Sequence, residues 1–264
     1  MDLQLAGKTA LVSGSTAGIG YAIAARLAQE GAVVIINGRT QDRVDEALSQ
    51  LQSEGTSTKL MGVAADLSTA DGVAQLVEEH PQVDILVNNL GIFEPKPFEQ
   101  ISDDDWNKMF QVNVMSGVRL SRAYLSGMRD RNWGRIIFIS SESALHIPEE
   151  MIHYGMTKTA QIAIARGIAE TTTGTGITVN SILAGPTMSE GVQEFVGQMA
   201  ESQEKPVDKV EDEFFQTARP TSLLQRFIEP EEVANLVAYV ASPLSSATNG
   251  APLRVDGGVV RAAL

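Results

Sequence analysis

The chain has 264 residues, enough for one large α/β domain with a sizeable core. Hydrophobic residues make up 43% of it, an ordinary globular share, so a folded chain is expected rather than a disordered one. The formal net charge is −13 with no basic run, so phosphate backbones are repelled and nucleic-acid binding is not expected.

Cysteine is absent, which excludes disulfides and thiolate metal sites and points to a reducing cytoplasm. His80, His146 and His153 show no H-x-x-x-H spacing, so no metal site is expected. No apolar run is long enough to span a membrane. The opening "MDLQLAGKTALVSG" has no basic region ahead of an apolar stretch, so no leader is expected either.

In chain order, strands are predicted at 9–14, 32–38, 60–66, 84–89, 135–141, 177–183 and 251–257. Most are near-continuously apolar, as parallel strands buried on both faces should be. Helical patterns lie between them. "YAIAARLAQEG" follows the first strand and closes on Gly31. Ser102 with Asp105 reads as the capped start of one long helix toward Arg131. The alternation predicts a doubly wound parallel α/β sheet of about seven strands, with helices on both faces, in a single domain. From 188 to about 220 the chain turns polar, Glu-rich and weakly periodic. A long insertion after a strand usually covers a site, so a lid is expected there.

Two stretches carry chemistry. "SGSTAGIG" (13–20) lies between the first strand and the first helix. Its glycines let the chain turn sharply and let a phosphate approach the backbone at a helix N-terminus, so the loop suits a dinucleotide. The cofactor's ribose is read at the end of the second strand. There "INGRT" has no acid, and Arg39 offers a planar fork suited to a phosphate. NADP(H) is therefore expected over NAD(H). The second stretch is "YGMTK", in which Tyr154 and Lys158 stand four apart and so share one helix face. An ammonium and an oxidised nicotinamide near a phenol favour phenolate, which brings tyrosine closer to acid-base work at neutral pH.

"SGSTAGIG", "NNLG" (88–91), "NVMSG" (113–117), Ser141 ahead of Tyr154-x-x-x-Lys158, and "VDGG" (255–258) occur together, in this order. On these motifs the chain resembles the short-chain dehydrogenase/reductase family over essentially its whole length. The resemblance implies a Rossmann-type fold and hydride transfer between a nicotinamide cofactor and a carbonyl or alcohol. It implies cofactor contacts from Gly14, Ser15, Thr16, Gly18, Ile19 and Gly20, from Asp66 and Leu67, from Asn89 and Gly91, and from Gly185 and Thr187. Tyr154 is then the proton donor and Lys158 also binds the nicotinamide ribose. Ser141 holds the substrate oxygen, with Ser140 and Ser143 as competing hydroxyls. The backbone of Asn113 holds a water linking Lys158 to solvent. The sequence departs from the family pattern at Ala17, where many NADP-preferring relatives are basic, at Leu90, usually alanine, and at Ala184-Gly185-Pro186, usually Pro-Gly.

The same resemblance gathers Ile92, Phe93, Leu145, His146, Ile147, Met151 and Met188 around the substrate, which suggests a hydrophobic ketone. Glu94 and Glu142 are the charges expected to matter. His153 points about 100° away from the tyrosine and is expected to be structural or interfacial. The apolar run "TAQIAIARGIAE" and the terminal "VDGGVVRAAL" suggest a homo-oligomer, a tetramer. The leading expectation is an NADP(H)-dependent carbonyl reductase or alcohol dehydrogenase acting on a small molecule. The alternatives are a 3-oxoacyl thioester reductase and a non-catalytic nucleotide-binding regulator.

Overall fold

A computed structural model describes residues 1–263, apart from the side chain of Phe195. Strands β1 (Thr9–Val12), β2 (Val33–Gly38), β3 (Leu60–Ala64), β4 (Ile85–Asn88), β5 (Gly134–Ser141), β6 (Ile177–Ala184) and β7 (Pro252–Val255) form one sheet. Their order is β3-β2-β1-β4-β5-β6-β7, and the neighbouring pairs run parallel. The helices are α1 (Gly18–Gln29), α2 (Gln41–Ser53), α3 (Ala70–Glu79), α4 (Asp103–Phe110), α5 (Ser116–Asp130), α6 (Ile152–Glu170), α7 (Glu190–Ser202), α8 (Val207–Thr217) and α9 (Pro230–Ala241).

Alternation along the strands explains why both faces are covered. Val12, Ile36, Val87 and Ile139 join one core with apolar residues of α1, α2 and α9. Their neighbours Leu11, Ile35, Leu86 and Phe138 join a second core with α3, α5 and α6. Each fully buried Leu, Ile or Phe contributes about 1.5–3 kcal/mol, so a slip of one residue would exchange two complete apolar faces.

β1 leads to β2 and β3 on one side, while β4 leads to β5 and β6 on the other. The crevice at that reversal, outside the carboxyl ends of β1 and β4, is where this architecture binds ligands. The same edge receives Ser141 and Ala184, which are register partners at the ends of β5 and β6.

The structure adds detail at two places. The Ser102–Asp105 capping box is present, and the helical run it starts continues to Asp130 as expected. A π-helical turn, Gln111–Met115, separates α4 from α5 and carries Asn113. Such turns insert an extra residue and recur at functional sites. The stretch after β6 is also more ordered than its composition suggests. It folds as the α7–α8 hairpin around Val196, Ala200, Val210, Phe215 and Phe227. Among the described residues, no helix is long and apolar enough to cross a membrane.

Candidate active site

The glycine loop is held from both sides of the crevice. Gly14 (φ +61°) and Gly18 (φ +55°) use left-handed backbone that other residues rarely adopt. A Cβ on Gly20 would collide with the Gly14 carbonyl and the Asn89 side chain. From β2, Asn37 Oδ1 accepts the Gly14 N–H at 3.1 Å, and its amide donates to the carbonyls of Val63 and Ala65 at 3.2 and 3.1 Å. Beyond β4, Asn89 Nδ2 donates to the carbonyls of Ser13 and Gly14 at 3.0 and 2.9 Å. α1 begins at Gly18, so its free first-turn N–H groups open beside this loop. A phosphate-sized anion fits a cradle where a side chain would not. The buried residue near the end of β2 is the neutral Asn37, and Arg39 just beyond is exposed.

A cavity of about 600 Å³ runs from this loop into the sheet edge. Gly14, Gly18, Ile19, Gly20, Asn89, Gly91, Ser141, Tyr154, Lys158, Gly185 and Thr187 all line it. Other expected cofactor residues lie off its wall. Ser15 is fully buried beneath the loop, donating to the Val12 carbonyl at 2.6 Å and accepting the Asn37 N–H at 2.9 Å. It braces the turn rather than facing a ligand. Thr16 sits against Gly38, and Leu67 is buried in the second core. Asp66 is exposed and accepts the Ser68 N–H and hydroxyl at 3.0 and 2.7 Å.

α6 carries Tyr154 and Lys158, and β5 ends at Ser141. Lys158 Nζ donates to the Ile139 carbonyl at 2.9 Å. Burial pulls this ammonium down to about 8. Tyr154 moves the other way: burial first, then the charge of Glu142, raises the phenol above its usual value, against smaller opposing effects of Ser141 and Arg219. In the protein alone, therefore, the expected lowering by Lys158 does not prevail. Asn113 is buried in the π turn, off the cavity wall. Its side chain ties to Ile92 in both directions, at 2.8 and 2.9 Å, and to Thr157 at 3.1 Å. The Asn113 carbonyl, the expected seat of a water, accepts a bond from Gln161 Nε2 at 2.6 Å.

Three serine hydroxyls compete at this edge. Ser140 is spent on the Lys158 carbonyl at 2.8 Å. Ser141 and Ser143 both donate to Glu142 Oε2. The other oxygen of Glu142 accepts from Arg219 Nε at 2.7 Å, and both side chains are buried. Arg219 and Glu150 also line the cavity, and neither was singled out in the sequence. The only signal was Glu142 itself, an acid beside Ser141 at the end of an apolar strand, which requires a cation.

Ile92, Phe93 and Met151 line the cavity as expected. Leu145, His146 and Ile147 are exposed, Glu94 is exposed, and Met188 packs on the hairpin core. Val192, Val196, Met199, Phe214 and Phe227 add to the apolar wall. His153 is fully buried with its ring edge-on to Trp106 at 5.8 Å, a packing position.

Comparison with known proteins agrees with this geometry. Residues 14–260 match the family model described as enoyl-(acyl carrier protein) reductase. The uncharacterized oxidoreductase YvaG of Bacillus subtilis is 50% identical over 261 residues, covering 99% of each chain. The L-sorbose reductase of Gluconobacter frateurii, solved with NADPH and L-sorbose, superposes with a TM-score of 0.94 at 30% identity, covering 99% of this chain and 100% of that one. A putative gluconate 5-dehydrogenase of Beutenbergia cavernae with bound NADP has a TM-score of 0.86 at 30% identity, with 99% and 100% coverage. The chain belongs to the short-chain dehydrogenase/reductase family of oxidoreductases.

Proposed function

We propose that the protein is an NADP(H)-dependent carbonyl reductase, or in the reverse direction an alcohol dehydrogenase. One observation carries the reading: Ser141, Tyr154 and Lys158 share a cavity with the glycine loop. The loop backbone at Gly14, Gly18, Ile19 and Gly20 would hold the cofactor's phosphates, and Arg39 its 2′-phosphate. Asp66 would border the adenine, Asn89 and Gly91 the adenosine, and Gly185 and Thr187 the nicotinamide amide, with Leu67 packing behind Asp66 in the second core. When bound, the nicotinamide supplies the hydride.

The chain's own residues do the rest. Ser141 holds the substrate carbonyl oxygen. A phenol raised above its usual value is protonated at neutral pH, so Tyr154 stands ready to give its proton to the oxygen that the hydride leaves negative. The O–H bond of Tyr154 breaks, the alcohol O–H forms, and the phenolate left behind is stabilised by the Lys158 ammonium before it regains a proton. Asn113 positions this group through Thr157 and Ile92 rather than by touching substrate.

The apolar wall supports a ketone with an apolar body. A second reading, a hydroxylated ketone, is favoured by Glu150 and Arg219 on the same wall and by the L-sorbose bound to the similar reductase. The chain works as one domain, with the segment 188–220 as a lid. A tetramer in the cytoplasm completes the reading, and a monomer mass in light scattering at micromolar concentration would count against the tetramer.

The test is a steady-state screen of apolar ketones, ketoses and a 3-oxoacyl thioester, each with NADPH and NADH. Turnover of a ketone with NADPH supports the proposal. Turnover confined to the thioester favours the carrier-linked alternative, and no turnover with tight cofactor binding favours a non-catalytic regulator.

A further inference from the structure

We propose that Glu142 and Arg219 are positioning residues whose buried ion pair ties the α7–α8 hairpin to the Ser141 hydroxyl. The inference rests on the reading of Ser141 as the group that meets the carbonyl oxygen. The two side chains come from positions 77 residues apart and meet at 2.7 Å, with relative exposures of 6% for Arg219 and 4% for Glu142. Arg219 is fixed to the hairpin: its guanidinium lies 5.9 Å from the centre of the Phe214 ring, and Nη1 donates to the Ala218 carbonyl at 2.8 Å. Glu142 is fixed to the sheet, one residue past the end of β5. Nη1 of Arg219 also reaches Glu150, just before α6, at 3.5 Å. Arg219 thus binds three parts of the cavity wall at one point.

The placement matters more than the stabilisation. A buried ion pair is often no more stabilising than apolar residues of the same shape, so stability alone does not explain it. What distinguishes this pair is its contact with Ser141. A serine hydroxyl has one proton to donate. In this structure that proton goes to Glu142, and the Ser141 oxygen accepts the Ser143 N–H at 3.1 Å. A carbonyl oxygen that enters must take the proton from Glu142. Arg219 shares the charge of that carboxylate and so weakens its hold. Hairpin closure, which brings Arg219, and readiness of Ser141 become one event. Tyr154 on α6 feels both charges of the pair, and Glu150 before α6 meets Arg219.

The experiment compares Arg219→Met, Arg219→Lys, Glu142→Gln and the double Glu142→Gln/Arg219→Met in the full chain. It measures kcat and KM on the best ketone of the screen, NADPH affinity by fluorescence, and amide exchange over 190–217. Each single change should lower kcat by about ten-fold or more while NADPH affinity stays within about two-fold. The double should lose no more than the worse single, because the two act as a unit. Arg219→Lys should recover part of kcat. Exchange over 190–217 should quicken in both singles. Should Arg219→Met fail to fold, the lysine variant and the neutral double carry the same comparison. Folded variants with unchanged kcat and unchanged exchange, or losses that simply add, overturn the proposal. Ser141→Ala separates the two readings: full turnover overturns the role of Ser141 and the proposal with it. Loss there, with normal Glu142→Gln and Arg219→Met, overturns the tie alone. If no ketone turns over, unchanged exchange in Arg219→Met is the overturning result.

Discussion

The Lys158 ammonium lies 5.4 Å from the centre of the Tyr154 ring, one turn along the same helix, and donates to the backbone of β5 rather than to the phenol. Each group is displaced by burial toward its neutral form, the lysine downward and the tyrosine upward. Tyr154→Phe keeps the ring and removes only the proton. Turnover of the true substrate should fall roughly a hundred- to ten-thousand-fold while the thermal midpoint holds. Near-normal turnover in the folded variant would remove Tyr154 from the chemistry.

Lys158 should cost stability in exchange for its role. Lys158 is 5% exposed, and burial pulls its ammonium from 10.5 to about 8, which corresponds to a penalty on the order of 3 kcal/mol. Between those values the unfolded chain binds the extra proton, so stability rises with pH there. The penalty is complete below about 8 and fades as pH rises toward 10.5. Lys158→Met should therefore melt higher than the parent at pH 7, and the gain should shrink above pH 8. A lower melting temperature at pH 7 contradicts this.

Arg39 is exposed beyond β2 and makes no ion pair among the described residues. A charged hydrogen bond to a 2′-phosphate contributes roughly 1.5–3 kcal/mol. Arg39→Ala should weaken NADPH binding about ten- to a hundred-fold and leave NADH nearly unchanged. Calorimetric titration with both cofactors checks it; unchanged affinity for both would show that the arginine faces solvent in the complex as well, and equal weakening would place it on a part the two cofactors share.

Asn37 is 2% exposed and satisfies the Gly14 N–H and the carbonyls of Val63 and Ala65. Asn37→Ala removes the acceptor of the buried Gly14 N–H and a donor to the two carbonyls, at a cost of about 1–3 kcal/mol. Urea unfolding should show a lower midpoint with an unchanged slope, and both cofactors should bind more weakly because the loop is less fixed. Selective loss of NADPH alone would point to a direct contact instead.

The α7–α8 hairpin has its own core, with the Phe215 ring 5.1 Å from Phe214 and 5.0 Å from Phe227. A segment held this way opens as a unit. Its amides should exchange with similar protection factors, all faster than those of β5 and β6, and should slow together when NADPH and a ketone are present. Phe215→Ala removes a ring that is 3% exposed and should spread those rates apart. Protection equal to the central strands in the free protein would make the hairpin a fixed wall.

Much of this protein is written in short-range pattern. The seven strands start within a residue of where alternation and apolar runs put them, because a strand's faces depend only on neighbouring residues. Gly14 and Gly18 announce their loop because other residues rarely adopt that backbone, Gly20 because a Cβ there would meet the Gly14 carbonyl, and Tyr154 and Lys158 share a face through helical spacing alone. The π turn at Asn113 escaped notice because "NVMSG" is compatible with an unbroken helix, and the insertion shows in the backbone hydrogen bonds. The hairpin at 190–217 escaped because its apolar residues face one another and the cavity, among many glutamates that face solvent. Asn37 and Asn89 became braces of the glycine loop only once β2 and β4 flanked β1. The pairing of Glu142 with Arg219 was least legible of all. Among 20 Lys and Arg and 33 Asp and Glu, no local rule selects these two. A buried charge requires an opposite charge within a few ångströms, but which one arrives is decided by how the distant chain packs.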